Sequence, residues 1–462
     1  MIRLFNYYFR RQALLQVLFD LGLLLLAMVS YDLLLAQRAS AALGPAVATT
    51  HGLSLAACLL VINTASGLYR PLQGRSLNQS CARAALALLV ALPLAYAIFS
   101  LLPAEFGNRD GMKWAAVICV AGVIANRVHA AHAARPTRPH SRILIYGAGA
   151  PAQLVANTLR TADPRCEIVG HVPSPNETEN TVAITEIVPG GRSLKECAVE
   201  LRIDEIVVAL TERRGGSMPL RELLDCKVCG VRVSDLSTHF EKVLGQIRLD
   251  HVHAGWLIFG DGFHQGVART IAKRVFDIVC AMLLLLLALP LLLITAIAIK
   301  LESRGDVFYR QERVARGGRS FHVIKFRSMH TDAEKGGQPQ FAALKDDRVT
   351  RVGNVIRRFR IDEFPQLLNV LKGDMSLVGP RPERPYFVDT LTRDVPYYAV
   401  RHSVKPGVTG WAQVRYQYGA SVADSLEKLQ YDLYSVKNHS LLLDVAILFE
   451  TVGVVLSGKG AR

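Results

Sequence analysis

"DIVCAMLLLLLALPLLLITAIAIKLESR", Asp277 to Arg304, decides the architecture of this chain. From Ile278 to Ile299 it runs for 22 residues without a charge. As a helix rising about 1.5 Å per residue, such a run just reaches across the ~30 Å hydrocarbon layer of a bilayer. The flanks argue against a crossing. Lys273 and Arg274 precede the run, and Lys300, Arg304, Arg310, Arg313, Arg316 and Arg319 follow it. Both ends thus carry the positive charge that marks cytoplasmic segments. Pro290, near the middle, has no backbone donor and predicts a break at which the chain turns back. The stretch at about 276–300 therefore reads as a re-entrant element dipping into the membrane, with a fifth transmembrane helix as the plain alternative.

The remainder of the chain fits that reading. Half of the 462 residues are apolar, the mean hydropathy is +0.23 and the formal charge is +15. This is a membrane protein with a substantial water-facing part, long enough for more than one domain. Basic residues cluster beside apolar runs, which suits anionic lipids and phosphate-bearing substrates. With no interleaved basic-aromatic pattern, no nucleic-acid partner is expected. The eight cysteines form no disulfide framework, and Cys226 and Cys229 make a single C-x-x-C with no second pair. Ala13–Ala36, His51–Leu68, Cys81–Leu102 and Met112–Val128 read as four transmembrane helices filling residues 1–135. The first lacks a cleavage-site pattern, so no cleavable signal peptide is expected. Arg3, Arg10 and Arg11, then Arg70, Arg75 and Arg83, then Arg127, Arg135, Arg138 and Arg142 put the N-terminus and everything after Arg135 in the cytoplasm.

Residues 136–250 change register to alternating strands and helices. Ile143–Tyr146, Glu167–Val172, Glu205–Leu210 and Val231–Val233 read as strands, and Ser193–Leu201 and Pro219–Cys229 as helices. That is a small doubly wound, Rossmann-like α/β domain. Gly147-x-Gly149-x-x-Ala152 follows its first strand and admits two readings: a nucleotide-binding turn, or a glycine turn kept for tight packing. No acidic residue ends the second strand, which runs into "HVPSP", and Glu167 lies at its start. Residues 251–270 read as a linker.

Beyond the apolar run, "RVGNVIRRFRIDEFPQLLNVLKGD", Arg351 to Asp374, places two adjacent carboxylates at a helix start. Asp362 suits an N-cap, Pro365 a first turn, and Gly373 a C-terminal stop. The helix dipole and Arg357, Arg358 and Arg360 would keep the carboxylates ionised and draw phosphate to the same place. An ionised aspartate there can be a metal ligand or a nucleophile; the plain alternative is an ordinary N-cap. "GPRPER" presents Arg381 between two prolines, "FHVIKFRSMH" contributes Lys325 and Arg327, and "HSVKPGVTGWAQV" adds Lys405. Cations from several rigid loops near one acidic pair suit a diphosphate.

From about Ile271 to the C-terminus the chain resembles the monotopic phosphoglycosyl transferases, or bacterial sugar transferases. "KRVFDI", "FYRQERV", "KFRSM", "IDEFPQLLNVLKGDMSLVGPRPE" and "KPGVTGWAQV" carry the resemblance, in family order. With the segments in front, the whole chain is similar to the exopolysaccharide polyprenyl glycosylphosphotransferases, and "GWLIFGDGF" is similar to their EpsB-like branch. The resemblance implies four transmembrane helices, a Rossmann-like (CoA-binding-like) domain, and a mixed α/β catalytic domain over 271–462 with a re-entrant membrane helix and interfacial helices. It implies transfer of a sugar-1-phosphate from a UDP-sugar to polyprenyl (undecaprenyl) phosphate with release of UMP. Asp362 would be the nucleophile and Glu363 its partner, with Mg²⁺ bridging the pair and the diphosphate. Arg381 would hold the nucleotide and Arg357 a phosphate, with Lys325, Arg327 and Lys405 in support. The implied place is the cytoplasmic face of a bacterial inner membrane, among membrane lipids; separately, an interface-bound enzyme with an extra α/β domain is expected to pair with a second copy of the chain as a homodimer. Leu289 stands where the family often has serine before its proline, and Asp306 follows Gly305 where proline is common. The C-terminal "LLLDVAILFETVGVV" reads as an amphipathic helix at the membrane surface. Two other readings stay open: an NAD-dependent sugar-nucleotide dehydratase or epimerase centred on the Rossmann-like domain, with Tyr434 and Lys437 at the required spacing, or a non-catalytic regulatory module.

Overall fold

The computed structural model describes residues 141–456 except 163–165, 176, 178–180, 190, 211–216, 253, 264–265, 331–347 and 417–420, and before them only 2–4, 7–9, 16, 18–19 and 22. The four apolar runs expected to cross the membrane therefore lie outside the described residues. Two short strands, β1 (Ile2–Leu4) and β2 (Tyr7–Phe9), pair antiparallel at the start of the chain.

Residues 135–261 form one compact unit. Its strands β3 (Ser141–Tyr146), β4 (Cys166–Val172), β5 (Glu205–Val208) and β6 (Arg232–Asp235) lie in one parallel sheet, in the order β4-β3-β5-β6. The inner strands are near-continuous apolar runs because helices cover both faces. On one face α1 (Ala150–Ala162) and α4 (Leu236–Leu244) bury Val155, Leu159 and Phe240 against Ile143, Ile145 and Val207. On the other, α2 (Leu194–Glu200) and α3 (Leu220–Val228) bury Leu194, Leu223 and Cys226 against Leu144, Ile206 and Val208. Cys226 is thus a core residue, while Cys229 is exposed. The expected linker holds structure of its own: α5 (Ala254–Phe259) closes this unit, and Trp256 Nε1 donates to Thr238 Oγ1 at 3.3 Å.

The glycine turn takes the packing role. Gly147 has φ +127°, and a Cβ there would stand 2.6 Å from the Ala209 carbonyl oxygen, so only glycine fits. The amides that hold a phosphate in a nucleotide-binding turn are already engaged. Ala148 N and Gly149 N donate to the Glu177 carboxylate at 2.9 and 3.1 Å, and Ser174 N joins them at 3.0 Å. The chain thus supplies its own anion to this turn.

The second unit contains residues 262–462. It opens with α6 (Val267–Glu302), a helix of 36 residues. Helical structure continues through Pro290 with no unwound residue. Proline forfeits one bond to the carbonyl four residues back and crowds that carbonyl, a cause of bending in a helix that stays wound. Among the described residues α6 is the helix long and apolar enough to cross a membrane, with a mean hydropathy of 3.0 in its most apolar window. Leu286 and Leu287 are each 69 % exposed, and Leu283, Leu293, Ile294 and Ile297 are also bare, a continuous apolar face that calls for lipid or a partner.

Both ends of α6 are fastened to the same unit. Near its start, Arg274 donates to the carbonyls of Val370 and Leu371 at 2.6 and 2.7 Å, and Asp277 accepts from Leu377 N at 3.2 Å. Near its end, Ile299 packs with Phe326 and Ile356, and Glu302 accepts from Val352 N at 3.1 Å. The hairpin β7 (Phe308–Val314) and β8 (Ser320–Phe326) follows, then α7 (Arg351–Arg358), α8 (Gln366–Lys372) and β9 (Ser376–Val378). Asn369 of α8 clamps β8 with both side-chain atoms, accepting from Ile324 N and donating to the His322 carbonyl. Next come α9 (Pro385–Asp394), β10 (Gly407–Thr409), α10 (Trp411–Arg415), α11 (Val422–Lys437) and α12 (Leu441–Leu456). α12 is packed into the unit rather than presented only to a surface. Its Leu443 and Ile447 are buried, and Asp444 meets Lys273 of α6 at 3.1 Å.

Candidate active site

Asp362 and Glu363 do not cap α8, as the sequence suggested. They sit in a separate 3₁₀ turn, Ile361–Glu363, and α8 starts three residues later after Pro365. Gly373 does end α8, in the left-handed conformation expected of a C-terminal stop. Arg360 enters the turn at φ 53°, a conformation that costs a non-glycine residue about 1–3 kcal/mol. The positive surroundings of the pair therefore come from side chains rather than from the dipole of α8.

Three elements supply those cations. On β8, Phe321, Val323 and Lys325 share one face because side chains alternate along a strand. That face is the buried one, so Lys325 enters the interior and its Nζ stands 3.7 Å from Glu363 Oε1. Arg381 follows β9, and its Nη2 lies 2.7 Å from the same oxygen. Arg360 reaches Glu363 Oε2 at 3.4 Å. Glu363 is 8 % exposed. Burial alone would raise its carboxyl, but Arg381, Lys325 and Arg360 overcome that cost and hold it well below the usual carboxylate range.

Asp362 behaves oppositely. Burial and the charge of Glu363 push its pKa up to about 6, against the pull of Lys325, Arg381 and Arg357. The field expected to hold both carboxylates fully ionised thus does so for Glu363 and only weakly for Asp362. Asp362 makes no hydrogen bond or ion pair among the described residues, so its oxygens are uncommitted. Burial also lowers the pKa of Lys325, with Glu363 opposing.

The sequence-derived residues separate into two groups. Asp362, Glu363, Arg381, Lys325 and Arg357 come together. Arg327 does not join them: it donates to the Ser303 and Arg304 carbonyls at 2.9 and 3.0 Å and fixes the end of α6. Lys405 is also elsewhere, since the charges that act on it are those of Arg274, Asp277, Arg316 and Asp374. In the sequence, Arg360 counted only toward the general positive field around the pair, and Arg313 was missed. Arg360 completes the grip on Glu363, and Arg313, inside "FYRQERV", donates to the Pro382 carbonyl at 3.0 Å and pairs with Glu383 at 3.4 Å. A run of arginines beside carboxylates signals such pairing, but the partner is not adjacent in sequence.

Among the described residues no group of three or more His, Cys, Asp or Glu is gathered as for a cation. Mg²⁺ seldom needs one: it is commonly held by one or two carboxylates together with substrate phosphates. Uncommitted oxygens on Asp362 fit that donor set, whereas Glu363 is already engaged by cations.

The dehydratase reading finds no support here. Tyr434 is buried and stacked on Trp411 within α11, Lys437 is buried on the same helix, and both belong to this unit rather than to the Rossmann-like one.

Comparison with known proteins bears on the unit that carries this pair. Residues 268–458 match the family model described as bacterial sugar transferase. Over 262 residues the chain is 45 % identical to a UDP-N-acetylgalactosamine-undecaprenyl-phosphate N-acetylgalactosaminephosphotransferase from Aeromonas hydrophila, covering 57 % of this chain and 61 % of that one. It is 45 % identical to a UDP-glucose:undecaprenyl-phosphate glucose-1-phosphate transferase from Caulobacter vibrioides, covering 42 % of this chain and 73 % of the relative. It is 41 % identical to the uncharacterized sugar transferase EpsL from Bacillus subtilis, covering 42 % and 91 %. The matched segment coincides with the unit that carries Asp362 and Glu363, and the chain belongs to the bacterial sugar transferase family.

Proposed function

We propose that this chain transfers a sugar-1-phosphate from a UDP-sugar to polyprenyl (undecaprenyl) phosphate, releasing UMP, as an early membrane step in building an exopolysaccharide or related glycoconjugate. The observation that carries the reading is the unequal carboxylate pair. Glu363 is locked by three cations, while Asp362 beside it is half-buried and makes no hydrogen bond or ion pair among the described residues.

In this reading a carboxylate oxygen of Asp362 attacks the phosphorus that bears the sugar. The bond to the bridging diphosphate oxygen breaks, UMP leaves with that electron pair, and an aspartyl phosphosugar remains. An oxygen of the polyprenyl phosphate then attacks the same phosphorus, giving the polyprenyl diphosphate sugar and returning Asp362 as a carboxylate. Arg381 and Arg357 orient the diphosphate, and Lys325 adds positive charge where negative charge accumulates. Asp362 would hold Mg²⁺ together with the diphosphate oxygens, and when bound the ion neutralises charge on the leaving phosphate. Glu363 fixes Arg381 and Lys325 in place. With both ends of α6 fastened to the catalytic unit, its bare apolar middle suits a segment that dips into one leaflet, at the cytoplasmic face of an inner membrane. There a soluble sugar nucleotide meets a lipid phosphate.

The test uses full-length protein in nanodiscs with Mg²⁺, undecaprenyl phosphate and a panel of UDP-sugars, and measures UMP. UDP-glucose and UDP-N-acetylgalactosamine, named for the relatives, come first. UMP from one donor, lost in Asp362→Asn, is the expected result. Without the lipid acceptor, labelled sugar should remain on the wild-type chain and not on the variant. Release that persists in Asp362→Asn removes the nucleophile, and no release from any donor removes the reaction.

A further inference from the structure

The turn that presents Arg381 is held in an unusual way. Pro380 and Pro382 have no N–H, so the Pro380–Arg381–Pro382 segment can be anchored mainly through its carbonyl oxygens. All three are occupied. Gly407 N donates to the Pro380 carbonyl at 3.0 Å, Arg401 Nη2 to the Arg381 carbonyl at 3.0 Å, and Arg313 Nη1 to the Pro382 carbonyl at 3.0 Å. Arg401 lies in the 3₁₀ segment Tyr398–Ser403 and is buried; its Nη2 also meets Asp432 Oδ2 of α11 at 2.7 Å, and its Nη1 donates to Tyr398 Oη at 2.6 Å. The guanidinium lies 5.1 Å from the Tyr398 ring centre, and Asp432 is 2 % exposed.

A buried ion pair is weak evidence for stability, because desolvation offsets most of its attraction. This pair has a second task, since the same nitrogen that meets Asp432 also grips the backbone of Arg381. Both of its Nη groups are committed to Asp432, Tyr398 and that backbone, and its Nε is buried without a partner among the described residues, so the side chain is enclosed rather than presented to a substrate.

We propose that the buried Arg401–Asp432 pair is a positioning device for the reaction: by gripping the Arg381 carbonyl it sets where the Arg381 guanidinium stands relative to Glu363 and the diphosphate. Arg401 is then a positioning residue that acts through Arg381, and Asp432 and Tyr398 hold it in turn. This rests on the transferase reading given above. A misplacement of about 1 Å in such a group costs on the order of 100-fold in rate.

The test compares full-length wild type with the paired replacement Arg401→Met/Asp432→Leu, alone and combined with Arg381→Ala, in nanodiscs. An apolar pair of similar volume is expected to keep the fold, which thermal unfolding checks. Hydrogen exchange over 379–384 should accelerate in the replacement. UMP release should fall about 100-fold in kcat/KM, yet fall no further when Arg381 is already alanine. If the pair does not fold, Arg401→Lys takes its place in the same cycle, because it keeps the charge facing Asp432 while losing the forked reach. Unchanged exchange in the turn, or a full additional loss in the Arg381→Ala background, overturns the proposal. Should wild type release no UMP from any donor, the transferase reading fails, and the exchange measurement still decides whether the pair holds the turn.

Discussion

Removing the charge of Asp362 should stabilise the protein at neutral pH, at the expense of the reaction. Its carboxyl rises from the ordinary 3.8 to about 6 in the folded chain, chiefly through burial and then through the charge of Glu363. In the window between those values the folded state binds more protons than the unfolded one, so stability falls as pH rises through it. Above about pH 6 the whole penalty is present, and below about pH 4 it is gone. At about 1.4 kcal/mol per pH unit the penalty is roughly 3 kcal/mol. Asn mimics the protonated side chain, so Asp362→Asn should recover most of that amount at pH 7.5. For a unit of about 200 residues this corresponds to a rise in Tm of roughly 6–12 °C. The assay is unfolding of the full chain in nanodiscs with EDTA, wild type against Asp362→Asn, from pH 4 to pH 8. The gain should shrink toward zero at pH 4. Added Mg²⁺ should narrow the difference at pH 7.5, because a cation favours the ionised wild-type carboxylate. An unchanged or lower Tm at pH 7.5, or a gain equally large at pH 4, would refute the reasoning.

Three further outcomes follow from the geometry. Lys325→Ala should lower kcat for UMP release at least about 100-fold, whereas Lys405→Ala should leave it within about two-fold, and equal losses would contradict their separation in the structure. Glu177→Ala leaves the amides of Ala148, Gly149 and Ser174 without their carboxylate; unfolding should become easier by about 2 kcal/mol, and an unchanged stability would show that water replaces the carboxylate freely. Gly379→Ala would bring a Cβ within 2.4 Å of the Lys405 carbonyl oxygen, against backbone that cannot swing aside. It should cost at least about 3 kcal/mol in unfolding experiments, and a wild-type Tm would mean that β9 and β10 separate more easily than their packing implies.

Much of this molecule could be read in advance where the signal is local. The strands of the Rossmann-like unit declared themselves as buried β-branched runs, Ser193 and Gly373 marked helix ends, and 278–299 was recognisable from apolar length alone. Asp362, Glu363 and the Pro-Arg-Pro turn were legible as chemistry because adjacent carboxylates and a proline-bracketed arginine are uncommon ways to spend polar residues. Pro290 was legible as a weak point, and the backbone stays helical through it; the case for the chain turning back rests instead on the fastening of both ends of α6 to one unit. The 3₁₀ turn under the carboxylates was missed because a proline two residues on reads equally well as the first turn of the helix.

What the amino-acid sequence determined by itself was thus the inventory: an apolar segment flanked by cations, an α/β unit, and an acidic pair with arginines in reserve. Periodicity, caps and composition act between neighbours, and neighbours are visible in a linear chain. Only the tertiary structure decided which cation meets which anion. It put Lys325 and Arg381 on Glu363 and sent Arg327 to the end of α6. It placed Lys405 beside Arg274, filled the glycine turn with Glu177, and set Arg401 behind Arg381. The physical reason is that charge pairing in a low-dielectric interior depends on a few ångströms and on burial, and both are created by packing segments far apart in the chain.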